Sequence, residues 1–373
     1  MQFDEKLLES FLPLERPAGN NEAAQRITYH VYLEAIRQFI HDHWEQFLEV
    51  LAGQGMKDAR NIQSIDIIAE KHGGDYHPAR IKVQAADSRH SFAVNVALTS
   101  RGKERISQDC RLLASFRERF PAKFTPEVYF LGEVNLQAKN QEDLVIVMFM
   151  GEWVDGYHEF HLSVEPENGK TGTILWDLKR GYQFLSCDTA AEIYRQAALI
   201  LTSFYDTKTF AEVYPWHHAA GDFVVKYSDG VLDVKLITLR QYAPRMVFPE
   251  DSFRNRLTAL MIFLANLTIR MRLDRLDGVG EIVWAGDHAV DGAISGFLAG
   301  MQAQVASGMC DDMLFRQFVE ETGRMSPAEL AEIFQTVTES YDEEAPDRPV
   351  ILDHLADHIF EVYRLCQEFP SSL

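Results

Sequence analysis

Cysteine is scarce in this chain: four residues, Cys110, Cys187, Cys310 and Cys366, stand far apart with no CxxC spacing. That pattern gives no disulfide framework and no thiolate zinc site, and it suits a reducing compartment. Positive charge is also in short supply. Thirty-six Lys and Arg face 56 Asp and Glu, a formal net charge of −20. A field of that sign repels nucleic acid and anionic membranes, so neither is an expected partner. Long apolar runs are missing too: the greasiest segment, Leu257 to Ile269, is interrupted by Asn266 and falls short of a membrane span. The first residues, Met1 to Glu9, are acidic and mixed rather than basic then apolar. No secretory signal is expected, and the cytoplasm is the expected location.

What remains is an ordinary globular composition, 46% hydrophobic and 25% charged, in 373 residues, a length that suits two lobes. Ile27, Val31, Ile36, Phe39, Ile40, Phe47 and Leu51 recur at mostly helical spacing, which predicts a helix from about Asn21 to Leu51. The period then changes. Ser64 to Glu70, Arg80 to Gln84 and Ser91 to Leu98 read as three strands separated by polar turns, the first turn being Lys71-His72-Gly73-Gly74-Asp75. A helix from about Arg105 to Phe120 follows, then strands over Val128 to Leu131 and Leu144 to Met148. Beyond Gly151 the character shifts toward helix: about Thr189 to Tyr205, Asp251 to Leu273, Gly292 to Ser307, Ser326 to Tyr341 and Pro349 to Phe369. Among them sits a hairpin, Phe223 to Lys226 and Leu232 to Ile237, turning at Ser228-Asp229-Gly230. The expected domains are a helical extension over 1–55, a β-rich nucleotide-type lobe over 56–150 and a helical lobe over 151–373.

This order resembles the protein-kinase-like fold, in the flavour of the aminoglycoside phosphotransferases and choline kinases. Leu144 to Tyr157 resembles the fifth strand and hinge, and Pro126-Glu127-Val128-Tyr129 the start of the fourth strand. Pro215 to Val225, with Val234-Lys235-Leu236-Ile237-Thr238 after it, resembles the catalytic loop and metal-binding strand. The resemblance implies an α+β, bilobal molecule: a five-stranded antiparallel sheet with one helix, then a larger, mainly helical lobe. It also implies ATP and Mg2+ as cofactors, bound between the lobes, with hinge contacts near Met148 and Met150.

Phosphoryl transfer needs a cation on the phosphates, a metal held by an acid and an amide, and a carboxylate that places the attacking hydroxyl. Two registers fit the loop. One makes Asp222 the catalytic carboxylate, puts Tyr227 at the amide position and leaves 238 − 227 = 11 residues before the second metal position. The preferred one puts Asp222 on the amide position as metal ligand, with 238 − 222 = 16 residues to Thr238, close to what a two-strand hairpin needs. His217 then stands where the catalytic Asp belongs, Thr238 at the second metal position, Asn95 where a third-strand Lys is expected, and Asp109 for the helix acid. Histidine is able to serve as a general base, Lys82 or Arg80 to supply the cation, and Gly73-Gly74 to let backbone approach a phosphate.

Three functions therefore stand open. One is a non-catalytic, pseudokinase-like module that binds a nucleotide, another small molecule or a protein partner. The second is an active phosphotransferase on a small hydroxylated or aminated molecule. The third is a metal hydrolase built on the histidine pairs His217-His218 and His158/His161, the latter at helical i, i+3 spacing. Asp287-His288, Lys235 and Arg240 are weaker ligand candidates, and Glu339 to Glu344 reads as a solvated helix end.

Overall fold

In the computed structural model, described here for residues 8–13, 27–56, 58–70, 73–120, 122–136, 144–167, 169–177, 181–218 and 221–369, the chain is α+β and divides into two units, Met1–Asp155 and Gly156–Leu373. The start of the expected first helix (21–26), Lys71, His72, Ala219 and Ala220 lie outside the described residues.

The first unit starts from one break. The expected single helix is two, α1 (Tyr29–Asp42) and α2 (Trp44–Gly53), because His43 leaves helical dihedrals between them. Its ring sits 3.0 Å from the Phe39 carbonyl through Nδ1 and stacks on Phe130. Five strands follow: β1 (Ile62–Ala69), β2 (His77–Ala85), β3 (Arg89–Ala97), β4 (Val128–Leu136) and β5 (Leu144–Glu152). They form one antiparallel sheet in the order β1-β2-β3-β5-β4. Alternation along each strand decides which face is apolar. Ile81, Val83, Phe92, Val94, Val96, Ile146, Met148 and Met150 join Tyr32, Ile36, Phe39, Phe47 and Leu51 of the two helices in one core. The helical extension is thus packed into the sheet's own core, and burying each such side chain contributes roughly 1.5–3 kcal/mol.

Between β3 and β4 runs α3 (Ser100–Arg119), started by the Thr99 side chain, which accepts from Gly102 N–H. It packs against β3, β4 and β5 through Ile106, Asp109, Cys110, Leu113 and Phe116, none of which belongs to the core under α1 and α2. It therefore covers the opposite sheet face.

The second unit does not begin with helix, as the sequence reading expected. It begins with a three-stranded sheet, β6 (Phe160–Val164), β7 (Thr171–Asp177) and β8 (Gly181–Phe184). Then come α4 (Cys187–Phe204), the short strand β9 (Ala211–Val213), the hairpin β10 (Phe223–Ser228) and β11 (Val231–Leu236), and β12 (Tyr242–Pro244), which pairs with β9. The hairpin turns at Asp229-Gly230, both with positive φ. A long helix, α5 (Phe253–Arg272), leads to the strand pair β13 (Leu273–Arg275) and β14 (Ile282–Trp284). Four helices complete the unit: α6 (His288–Ala306), α7 (Asp312–Arg324), α8 (Pro327–Glu339) and α9 (Arg348–Cys366). Of these, α8 starts with a full capping box between Ser326 and Glu329 and Pro327 at its first position.

The helix pair α4/α6 is the unit's tightest joint. A Cβ added at Gly296 would lie 2.0 Å from the Arg195 carbonyl oxygen, and one at Gly292 would lie 2.3 Å from that of Ala191. Only glycine lets the two backbones approach so closely, and α4 then delivers Tyr194 to the loop described next.

Candidate functional site

The loop 214–222 and the hairpin behind it bring several of the expected residues together. Asp222 stands immediately before β10, and its carbonyl accepts from Ile237 N–H at 2.8 Å. The first rung of the hairpin, Phe223 opposite Leu236, therefore sets Asp222 beside the segment that ends at Thr238. Asp222 is completely buried, and a buried carboxylate needs partners. Its Oδ2 accepts from His217 N–H at 2.8 Å and from Nη1 of Arg240, with which it forms an ion pair. Its Oδ1 has no hydrogen-bond partner among the described residues. Thr238 is half-buried.

Two histidines precede Asp222. His217 is half-buried, and its pKa is pushed down to about 3, first by burial and then by Arg270, Arg275 and Arg240. His218 is fully buried inside a ring of aromatics: Phe160, Trp216, Tyr194 and Phe223, with centroids 5.0, 5.5, 5.7 and 5.8 Å away. Burial, followed by the neighbouring His217, holds its pKa well below the ordinary value. Both histidines are neutral at pH 7, and His218 is part of the packing under the loop. Arg270 locks the same loop from below: its Nη2 donates to the Trp216 carbonyl at 2.7 Å and its Nη1 pairs with Asp347 at 3.3 Å.

In the first unit, Asp109 is buried to 1% exposure on α3, and its Oδ2 accepts from the Tyr76 hydroxyl at 2.8 Å. Arg101 at the start of α3 pairs with Asp75 at 3.2 Å, so α3 holds the turn before β2 at two points. Gly73 belongs to that turn; its N–H donates to the Tyr76 carbonyl, and a Cβ there would lie 2.7 Å from that oxygen. Asn95 lies half-buried on the sheet face opposite Val94 and Val96. Lys82 shares that face but pairs with Ser91, whereas Asn95 pairs with Pro78. Four residues of strand separate the two positions, about 13 Å at ~3.3 Å per residue. Arg80, between them, is engaged by Asp155 and Ser91 and stacks over Trp153 at 4.7 Å. The side chains of Met148 and Met150 are buried in the core under α1 and α2. Their backbones are paired with β3 on one side and β4 on the other, so the ladder ends only at Glu152 and unpaired backbone begins at Trp153.

The other histidine pair is not helical. His161 lies in β6 and His158 just before it, bridged through its backbone to Val225, and an odd separation along a strand points the two to opposite faces. His161 is buried beside Asp274 and Glu159, at 3.5 Å from each. Asp274 is itself occupied by the N–H groups of Leu162 and Arg275. His158 stands 3.8 Å from Asp177. Asp287 pairs with Arg272 at 2.9 Å, and His288 opens α6 against Tyr194. Lys235 and Lys226 both approach the Tyr157 ring, at 5.6 and 5.8 Å.

Magnesium does not fit these residues as they stand. The one buried acid of the loop is held by a guanidinium, its neighbour across the hairpin is a hydroxyl, and among the described residues no group of three or more His, Cys, Asp or Glu is placed to hold a metal. The residue that sequence reasoning undervalued is Arg240, named only as a weaker ligand candidate; the signal for its pairing with Asp222 was its position two residues past Thr238, at the end of the hairpin that starts from Asp222. No protein-family model matches the chain, and no curated protein matches it in sequence.

Proposed function

We propose that this chain is a divergent kinase-like protein that binds a nucleotide without turning it over. The coarse frame supports this: a five-stranded antiparallel sheet in the order β1-β2-β3-β5-β4 with its helix between the third and fourth strands. The second unit adds a loop, a two-strand hairpin and a mainly helical body. The observation that carries the non-catalytic half is the Asp222–Arg240 ion pair, in which the acid that would hold the metal is neutralised by the chain itself.

The base position points the same way. A general base works best with a pKa near the operating pH. His217, held at about 3, is always free of its proton at neutral pH but is a poor acceptor for another. An active phosphotransferase would need that weak base, an acid released from Arg240, and a cation in place of Asn95. Nothing in the arrangement supplies all three.

The test is a thermal-shift titration with ATP, ADP and GTP, in EDTA and in magnesium, beside an assay for transfer or hydrolysis of the terminal phosphate. A ligand that binds the folded state raises its melting temperature by mass action. The expected result is a nucleotide-dependent rise that magnesium does not change, with no turnover. Absence of a shift with every nucleotide, or turnover that Asp222→Ala abolishes, would overturn the proposal.

A further inference from the structure

We infer that the outward face of α9 is a docking surface for a basic, amphipathic helix of a partner protein. The inference lies away from the loop at Asp222 and stands whether or not a nucleotide binds there.

A helix that lies on a protein surface needs one apolar stripe, the one that packs inward. In α9 that inward line is Ile351, His358, Val362 and Cys366, all buried. The helix carries a second stripe beside it. Leu352, Ala356 and Phe360 follow one another at i, i+4 and i+8, all exposed, and the half-buried Ile359 and Tyr363 join them to the first line. Leu352 keeps 51% of its surface in solvent and Phe360 67%. Single exposed apolar residues are ordinary on any surface; two large ones on one line of a helix form a ridge. Eight residues of α-helix set their Cα atoms about 12 Å apart, and the small Ala356 between them leaves a notch. Side chains of a second helix interdigitate with a ridge of this kind.

Charge selects the occupant. Asp353 and Asp357 border the stripe, each one position past Leu352 and Ala356, exposed and without an ion pair among the described residues. Arg364, one turn beyond Phe360, is taken up by Glu361, Glu368 and Asp291. The chain as a whole carries −20. An anionic membrane is therefore repelled, and a second copy would bring the same acidic row and the same net charge. A helix whose apolar stripe is bordered by Lys or Arg meets opposite charge instead, and border charges of that kind set partner choice and association rate.

The experiment is fluorescence anisotropy of the full chain with a labelled Leu/Lys peptide of about 18 residues, long enough to form a helix and patterned to be apolar on one side. Two controls accompany it. A Leu/Lys peptide of the same composition in scrambled order reports attraction to the net charge alone, and a Leu/Glu peptide keeps the amphipathic pattern with the opposite sign. The variants are Phe360→Ala, Phe360→Glu and the double reversal Asp353→Lys with Asp357→Lys. These side chains are exposed, so the fold should survive each change, and circular dichroism checks it. Wild type should bind the ordered Leu/Lys peptide roughly tenfold or more tightly than the scrambled one, the margin of one anchoring side chain. Phe360→Glu should erase that margin and Phe360→Ala most of it. The double reversal should weaken the Leu/Lys peptide and admit the Leu/Glu one. Equal binding of the ordered and scrambled peptides, no binding of the ordered one, or an unchanged affinity in Phe360→Glu would overturn the inference. An unmoved preference in the double reversal would overturn the basic character of the partner. A wild-type dimer in sedimentation velocity that Phe360→Glu dissolves would give the surface to a second copy and overturn it as well.

Discussion

Two buried acids invite comparison. Asp109 in the first unit and Asp222 in the second are both nearly inaccessible, and the kinase-like resemblance gives both a role in handling cations. Their partners differ. Asp109 accepts from a neutral phenol, Tyr76, whereas Asp222 is paired with a guanidinium, Arg240. A phenol satisfies a lone pair but cancels no charge; a guanidinium does both. Asp222 is therefore held by a partner that balances its charge, while Asp109 ties the turn before β2 to α3.

The largest expected effect tests the charged half of the comparison. Arg240→Ala leaves Asp222 buried with its charge uncompensated. Breaking one side of a buried pair costs about 3–5 kcal/mol, and the partial exposure of Arg240 places this case near 3. Urea unfolding measures it. A loss below about 1 kcal/mol, the level of a surface pair, would mean that Arg240 holds Asp222 no more tightly than a surface ion pair does.

Next comes the scaffold under that site. Gly296→Ala drives a methyl group against the Arg195 backbone and forces α6 away from α4, which carries Tyr194 to the His218 cage. Overpacking of this kind costs about 1–3 kcal/mol. A neutral result would show that the α4/α6 contact is not as close as described.

The pH dependence separates the two units again, because the strongly depressed histidines lie in the second. His217 and His358 are both pushed from 6.5 to about 3, burial being the first cause in each. Between those values the unfolded chain binds protons that the folded chain does not, so stability falls as pH drops below about 6.5. The slope is at most ~1.4 kcal/mol per pH unit for each histidine. Glu212, raised to about 7 by burial against the opposing pull of Arg245, acts in the other direction: its contribution is lost as pH rises from about 4.5 to 7. Unfolding measured from pH 7.5 to 4 should show His217→Gln flattening the acid limb. An unchanged limb would place His217 in water.

The smallest effect belongs to the neutral partner. Tyr76→Phe removes one hydrogen bond to Asp109, worth about 1 kcal/mol. If it cost as much as Arg240→Ala, the contrast between the two acids would collapse.

Much of this arrangement was legible before any coordinates. Short apolar or alternating runs bounded by polar turns marked all five strands of the first sheet, and the 16-residue spacing from Asp222 to Thr238 anticipated a hairpin that sets the two side by side. The chemistry of the site was less legible, because partners 18 and 33 residues away, Arg240 for Asp222 and Tyr76 for Asp109, leave no local pattern. The β6–β8 sheet went unread because its strands are short and β8 is exposed throughout, which erases alternation. The helix α7 was readable and missed: Asp311 caps it, and Leu314, Phe315, Phe318 and Val319 recur at helical spacing.

The central claim is that Asp222 answers to Arg240 and not to a metal. Crystals grown with ATP and Mn2+, measured at the manganese absorption edge, test it most directly. The account predicts no anomalous peak at coordination distance from Asp222, with the Arg240 guanidinium still hydrogen-bonded to its Oδ2. A manganese peak on the Asp222 carboxylate, with Arg240 swung away, would contradict it.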